Sequence, residues 1–154
     1  MARVSFDVTR RFDADPRVVW DELIDWPSHG EWVPLTTMEV AEPGSDPTEP
    51  GYEFTGWTGV RPVALQDRMR VTRCDWDEAA RTGFCTVDKI GPTLGGDAGF
   101  TVRPAGAGTE LVWQEDVVVP YVPGFLSGVA AWFGRVGFRS ALKRFDRYLA
   151  ERSA

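Results

Sequence analysis

Two cysteines and one histidine are all that this sequence offers of the residue types that build zinc sites and thiol or imidazole catalysts. Cys74, Cys85 and His29 fall short of a full structural zinc ligand set, so no metal or cofactor is expected. No serine or cysteine can be placed beside His29, which leaves a nucleophilic triad without support. His29 is expected to sit exposed on a loop. Long apolar runs are missing too: nothing approaches the roughly 18 residues of a membrane span. The start, Met1-Ala2-Arg3-Val4-Ser5-Phe6, lacks the apolar stretch of a secretion signal. No membrane span is expected, and the reading is of a cytoplasmic protein with free thiols. The glycines between Gly91 and Gly99 have neither spacing of a phosphate-cradling loop and read as a turn.

Positive charge is also scarce, with a net charge of -6. Phosphate repulsion then argues against broad nucleic-acid binding. The imbalance is uneven. Residues 131–152 hold six basic residues (Arg135, Arg139, Lys143, Arg144, Arg147, Arg152) against Asp146 and Glu151. Arg135, Arg139 and Lys143 share one helical stripe. It reads first as a solvated face, and otherwise as a partner or anionic-surface site.

The 154 residues suit one domain, 1–154, with a sizeable core. Val4, Phe6 and Val8 alternate in a strand over 2–12. Asp15-Pro16 is an N-cap followed by proline at the first helical position. The short helix after it turns Val19, Trp20 and Leu23 inward. Residues 26–34 form a turn or single helical turn. Strands are predicted at 36–42, from Tyr52 to a break at 59–62, at 63–75, 81–90, from about 97 to 103, and at 109–119. Loops separate them at 43–51, 75–80, 91–96 and 104–108. After Pro120 an amphipathic helix runs to Ser153. Its apolar stripe is Phe125, Val129, Trp132 and Val136, then Leu142, Phe145 and Leu149. Glycines at 124, 128, 134 and 137 imply a bend, or missing side-chain volume facing a cavity. The fold class is α+β: an antiparallel sheet gripping the C-terminal helix, with two short helices after the first strand.

A gripping sheet encloses space, and three charges are candidates to point toward it. Asp67 shares a strand face with Leu65, Met69 and Val71. Glu115 shares one with Leu111, Trp113 and Val117. Lys89 lies on the face of Cys85 and Val87, opposite Phe84 and Thr86, and alternation leaves open which of these faces is inner. A hairpin centred near Glu78 would set Lys89 across from Asp67, and further hairpins would bring Glu115 to similar depth near Gly96. Inward charges need partners or water. The three residues are therefore candidates for an ion-paired cluster, for orienting a ligand, or for acid/base catalysis. Phe100 and Trp113 are the first candidates for pocket walls, then Tyr52, Phe54 and Met69, with Val129 and Trp132 from the helix.

Several fragments occur together in order: Asp15-Pro16-x-x-Val19-Trp20, Trp26-Pro27 with Trp32, Gly51-x-x-Phe54-x-Gly56, Gly108-Thr109-x-Leu111-x-Trp113, and Leu142-x-x-Phe145-x-x-Tyr148-Leu149. In these the chain resembles the SRPBCC superfamily, the START-like or pollen-allergen-like helix-grip fold, and within it the polyketide cyclase/dehydrase and lipid-transport group. The resemblance implies a seven-stranded sheet wrapped around the C-terminal helix, with a mostly apolar tunnel between them. It implies a lipid- or polyketide-like small hydrophobic partner, and carries over no catalytic set. Binding of such a molecule is the first expectation. A metal-free cyclase, dehydratase or aromatase is the second, and a protein-interaction module the third.

Overall fold

The computed structural model describes residues 1–60 and 62–153; Arg61, inside the predicted break at 59–62, lies outside the described residues. Seven antiparallel strands form one sheet in the order β1-β7-β6-β5-β4-β3-β2. They are β1 (Ala2–Phe12), β2 (Thr36–Val40), β3 (Glu53–Val60), β4 (Val63–Asp77), β5 (Thr82–Lys89), β6 (Gly95–Ala105) and β7 (Gly108–Val119). Between β1 and β2 lie two short helices, α1 (Pro16–Leu23) and α2 (His29–Trp32). The long helix α3 spans Ser127–Ser153. Among the described residues no helix is long and apolar enough to cross a membrane.

Local chemistry sets these boundaries. The Asp15 carboxylate accepts from the Arg17 backbone N–H at 2.9 Å and so caps α1, a contact worth about 1 kcal/mol. Proline at the first helical position needs no N–H partner there. The inner face of α1 is Val19, Trp20 and Leu23, all buried.

Strand β4 carries a bulge between Val71 and Arg73. The extra residue switches its inward parity, from Leu65, Asp67, Met69 and Val71 to Cys74 and Trp76, and bends the strand. Downstream of that bend the inward face of β5 is Gly83, Cys85, Val87 and Lys89. This settles the face left open by alternation: Lys89 points inward.

The long helix is held by its C-terminal half. Ala141, Leu142, Phe145 and Leu149 are buried. Phe145 packs on Trp32 and Phe12, with ring centroids 4.7 and 5.5 Å away. Fully burying each such side chain contributes about 1.5–3 kcal/mol. The N-terminal half behaves differently. Val129, Trp132, Phe133 and Val136, and Phe125 in the turn before the helix, are all exposed, so the predicted stripe holds only from Leu142 onward. The reason is that α3 turns small residues toward the sheet in this half. A side chain at Gly134 would collide with the Phe6 ring of β1, so the helix approaches the sheet there only because Cβ is missing. The larger apolar residues are consequently rotated away.

Candidate functional site

Between the inner face of the sheet and α3 lies a cavity of about 520 Å³. Its walls are mainly apolar. From the sheet come Phe6, Met38, Phe54, Met69, Phe100 and Trp113, and from the helix Ala130, Gly134, Gly137, Phe138 and Ala141. The aromatic groups lock one another in place. Phe100 stacks on Trp113 at 5.4 Å, Trp113 meets Phe138 at 5.2 Å, and Phe54 stacks on Trp26 at 4.2 Å.

One charged cluster interrupts this lining. Lys89 Nζ lies 2.6 Å from Asp67 Oδ2 and 3.5 Å from Glu115 Oε2. The side chains of Lys89 and Glu115 are only 5% and 4% exposed, and that of Asp67 is 22% exposed. Trp113 Nε1 donates to Glu115 Oε1 at 2.9 Å. Among the described residues Asp67 Oδ1, which is buried, has no hydrogen-bond partner. Burial pushes the Glu115 carboxyl above its ordinary range, and the opposing pull of Lys89 and the Trp113 N–H does not cancel it. Burial alone would pull the Lys89 ammonium down, but the charges of Glu115 and Asp67 outweigh it and hold the group above its usual value.

The predicted register needs correction. Lys89 stands opposite Met69, not Asp67, and Glu115 opposite Ala98 rather than near Gly96. The closing pair Asp77–Thr82 puts the β4–β5 turn later in the chain than predicted, while the pair Ala105–Gly108 keeps the β6–β7 turn within the predicted loop at 104–108. The three charges still meet, because the long lysine side chain spans the diagonal to Asp67.

Phe54, Met69, Phe100, Trp113, Asp67, Lys89 and Glu115 all line the cavity. Three other candidates lie elsewhere. Val129 and Trp132 are 53% and 57% exposed and stay outside the wall, because the helix presents its small residues to the sheet. Tyr52 precedes β3, its backbone N–H bonded to the Glu49 carbonyl at 3.0 Å. That turn directs it to a separate shallow depression with Trp26 and Pro47.

His29 is the other correction. It is buried, not exposed, and its Nε2 lies 2.7 Å from the Leu23 carbonyl. Trp26 and Trp32 pack against it, and it contributes to the cavity wall. Burial lowers its pKa to about 4, only partly offset by the Leu23 hydrogen bond. The imidazole is therefore neutral at neutral pH, with Nε2 protonated to donate and Nδ1 left as an acceptor.

The wall residues that sequence reading did not name include Phe6, Met38, Leu94, Phe138, Ala130 and Ala141, whereas Gly134 and Gly137 line the cavity as one of the two readings of the helix glycines had it. Among the described residues no group of three or more His, Cys, Asp or Glu side chains is placed to hold a metal ion.

The fold recurs in solved structures of low sequence identity. Protein TTHA0849 from Thermus thermophilus superposes with a TM-score of 0.71 at 15% identity, over 97% of this chain and 99% of that one. A STAR-related lipid transfer protein from Xanthomonas axonopodis gives 0.70 at 14%, over 95% of this chain and 85% of its own. The Zhui aromatase/cyclase from Streptomyces sp. R1128 gives 0.65 at 18%, over 99% and 96%. At such identities the likeness shows the fold: the same seven-stranded sheet gripping a long C-terminal helix. No curated protein matches the sequence. Residues 3–150, nearly the whole chain, match the family described as polyketide cyclase / dehydrase and lipid transport, so the chain belongs to that family, within the SRPBCC superfamily.

Proposed function

We propose that this protein binds one largely apolar small molecule in the cavity between sheet and helix, with a polar group of the ligand set against the Asp67–Lys89–Glu115 cluster. The observation that carries this reading is the cavity itself. Its volume, about 520 Å³, falls in the range that holds a drug-sized ligand. Aromatic and aliphatic walls supply affinity through burial, and one polar cluster supplies orientation. The family description includes lipid transport, and a neighbour of the same fold is a lipid transfer protein; both support a hydrophobic ligand. Native mass spectrometry of protein purified from its host, followed by solvent extraction, tests the reading. A stoichiometric small molecule is the expected result. A protein that carries no ligand and takes up no hydrophobic molecule contradicts it.

A second reading is favoured by one observation, the raised Glu115 carboxyl beside a buried lysine within the cavity. A carboxyl displaced toward neutrality is suited to proton transfer at a bound carbonyl. The aromatase/cyclase of the same fold and the cyclase/dehydrase family support chemistry of that type. On this reading Glu115→Gln abolishes turnover of a ketide-like substrate while affinity stays within a few-fold. Equal turnover by the variant removes Glu115 from any mechanism.

A further inference from the structure

The polar cluster constrains what kind of ligand the cavity accepts, and this constraint rests on the cavity-binding reading above. Among the described residues Lys89 is the only cation in the wall, and its ammonium is already engaged. It faces Asp67 Oδ2 at 2.6 Å, Glu115 Oε2 at 3.5 Å and the Met69 sulfur at 3.9 Å. Both oxygens of Glu115 are occupied, one by Lys89 and the other by Trp113 Nε1. The other indole in the wall, Trp26, donates to the Pro47 carbonyl at 2.9 Å. Thr36 Oγ1 donates to the Pro34 carbonyl at 3.0 Å and accepts from Thr58 Oγ1 at 2.7 Å, and Tyr121 lies exposed at the rim.

Apart from the exposed Tyr121 hydroxyl, what stays open is of one kind. The Asp67 carboxylate lines the cavity, its Oδ1 is unpartnered among the described residues, and while ionised it can only accept hydrogen bonds. His29 has committed Nε2 to Leu23, which leaves Nδ1 as an acceptor. Two carboxylates and one ammonium give the cluster a charge of about -1, or zero if one carboxylate takes a proton. A ligand carboxylate would meet repulsion and no free buried donor, and in an apolar wall that loss is not replaced by water.

We infer that the cavity selects a ligand whose polar group donates hydrogen bonds, a hydroxyl or an ammonium, with the Asp67 carboxylate as its acceptor, and that it rejects carboxylates such as free fatty acids. An unmet buried acceptor disfavours the empty or mismatched site, so selection acts through the cost of leaving Asp67 unpaired.

Four fluorescent probes on one ring system test this at neutral pH: hydroxypyrene, pyrenemethylammonium, methoxypyrene and pyrenecarboxylate. The expected result is that hydroxypyrene or pyrenemethylammonium binds tightest. Methoxypyrene is about tenfold weaker than hydroxypyrene, and pyrenecarboxylate weaker by about a hundredfold or more. In Asp67→Leu, checked for an intact fold by its thermal melt, the preference for hydroxyl over methoxy shrinks to within about twofold. Equal binding of all four probes by the wild-type protein overturns the inference and leaves cavity binding standing. Tightest binding of pyrenecarboxylate overturns it as well. Failure of all four to bind counts against the cavity-binding reading itself and removes the inference with it. The wild-type comparison decides the matter even if the variant does not fold.

Discussion

Lys89 stands directly across the β4–β5 ladder from Met69, yet its ammonium bonds the carboxylate of Asp67, two residues further along, at 2.6 Å. It also reaches Glu115 on β7, beyond β6, at 3.5 Å. One lysine thus ties together strands that are not neighbours, inside an otherwise apolar cavity. Removing it strands two carboxylates. Lys89→Met is expected to destabilise the fold by about 3–5 kcal/mol, because breaking a buried pair leaves uncompensated charge. Adding Glu115→Leu to that variant recovers a large part of the loss. Urea denaturation of the two variants and the wild type checks this; a Lys89→Met protein of wild-type stability contradicts it.

The sole histidine gives a clean pH test. His29 has a folded pKa of about 4 against an ordinary value of 6.5. Between those values the unfolded chain binds more protons than the folded one, so stability rises with pH across that window. The contribution is fully present above pH 6.5 and is lost as pH falls toward 4, with a slope of at most about 1.4 kcal/mol per pH unit. With one histidine in the chain, the ring protons are unambiguous by NMR. A folded-state midpoint at or above about 6 contradicts the buried, neutral imidazole.

Cys74 and Cys85 face each other across β4 and β5, both buried as free thiols. The neighbouring Cys74 sulfur and burial together push the Cys85 thiol up. A thiolate-seeking reagent at neutral pH should leave Cys85 unmodified in the native protein and modify it readily in urea. Peptide mapping after a timed pulse checks this, and rapid native labelling of Cys85 contradicts it.

Gly134 marks a close approach of α3 to the sheet. Gly134→Ala improves helix propensity by about 1 kcal/mol but drives a methyl into the Phe6 ring. Overpacking typically costs about 1–3 kcal/mol, so a net loss of stability is expected in thermal or chemical melts. A stabilised variant would mean that the Phe6 ring moves aside freely.

The fold is readable in the sequence because its signals are local and agree with one another. Alternation marks the strands, Asp15-Pro16 starts α1, and glycine- and proline-rich breaks separate the hairpins. Asp67 and Glu115 are readable for the same reason: a charge on an apolar strand face stands out. Lys89 is not, because its parity depends on where the β4–β5 turn falls and on the bulge after Val71. Val129 and Trp132 are misplaced by an assumption built into hydrophobic periodicity, that large apolar side chains face inward. Here the inward stripe is Ala130, Gly134, Gly137 and Ala141, and the cavity exists because those side chains are small. His29 is misplaced because a short polar turn hides its burial, which depends on the packing of Trp26 and Trp32 around it.

The central claim, that a small molecule occupies the space between sheet and helix, is tested most directly at Gly137. This residue lines the cavity, and a Cβ built there meets no atom within 4 Å. Gly137→Leu should fill the space without strain and raise helix propensity by about 0.8–1 kcal/mol. Titration of hydroxypyrene into both proteins, followed by its fluorescence, is the measurement. The account predicts one equivalent bound by the wild type and at least about tenfold weaker binding by a Gly137→Leu protein of equal or greater stability. Equal binding by the two would place the ligand outside the cavity and contradict the account.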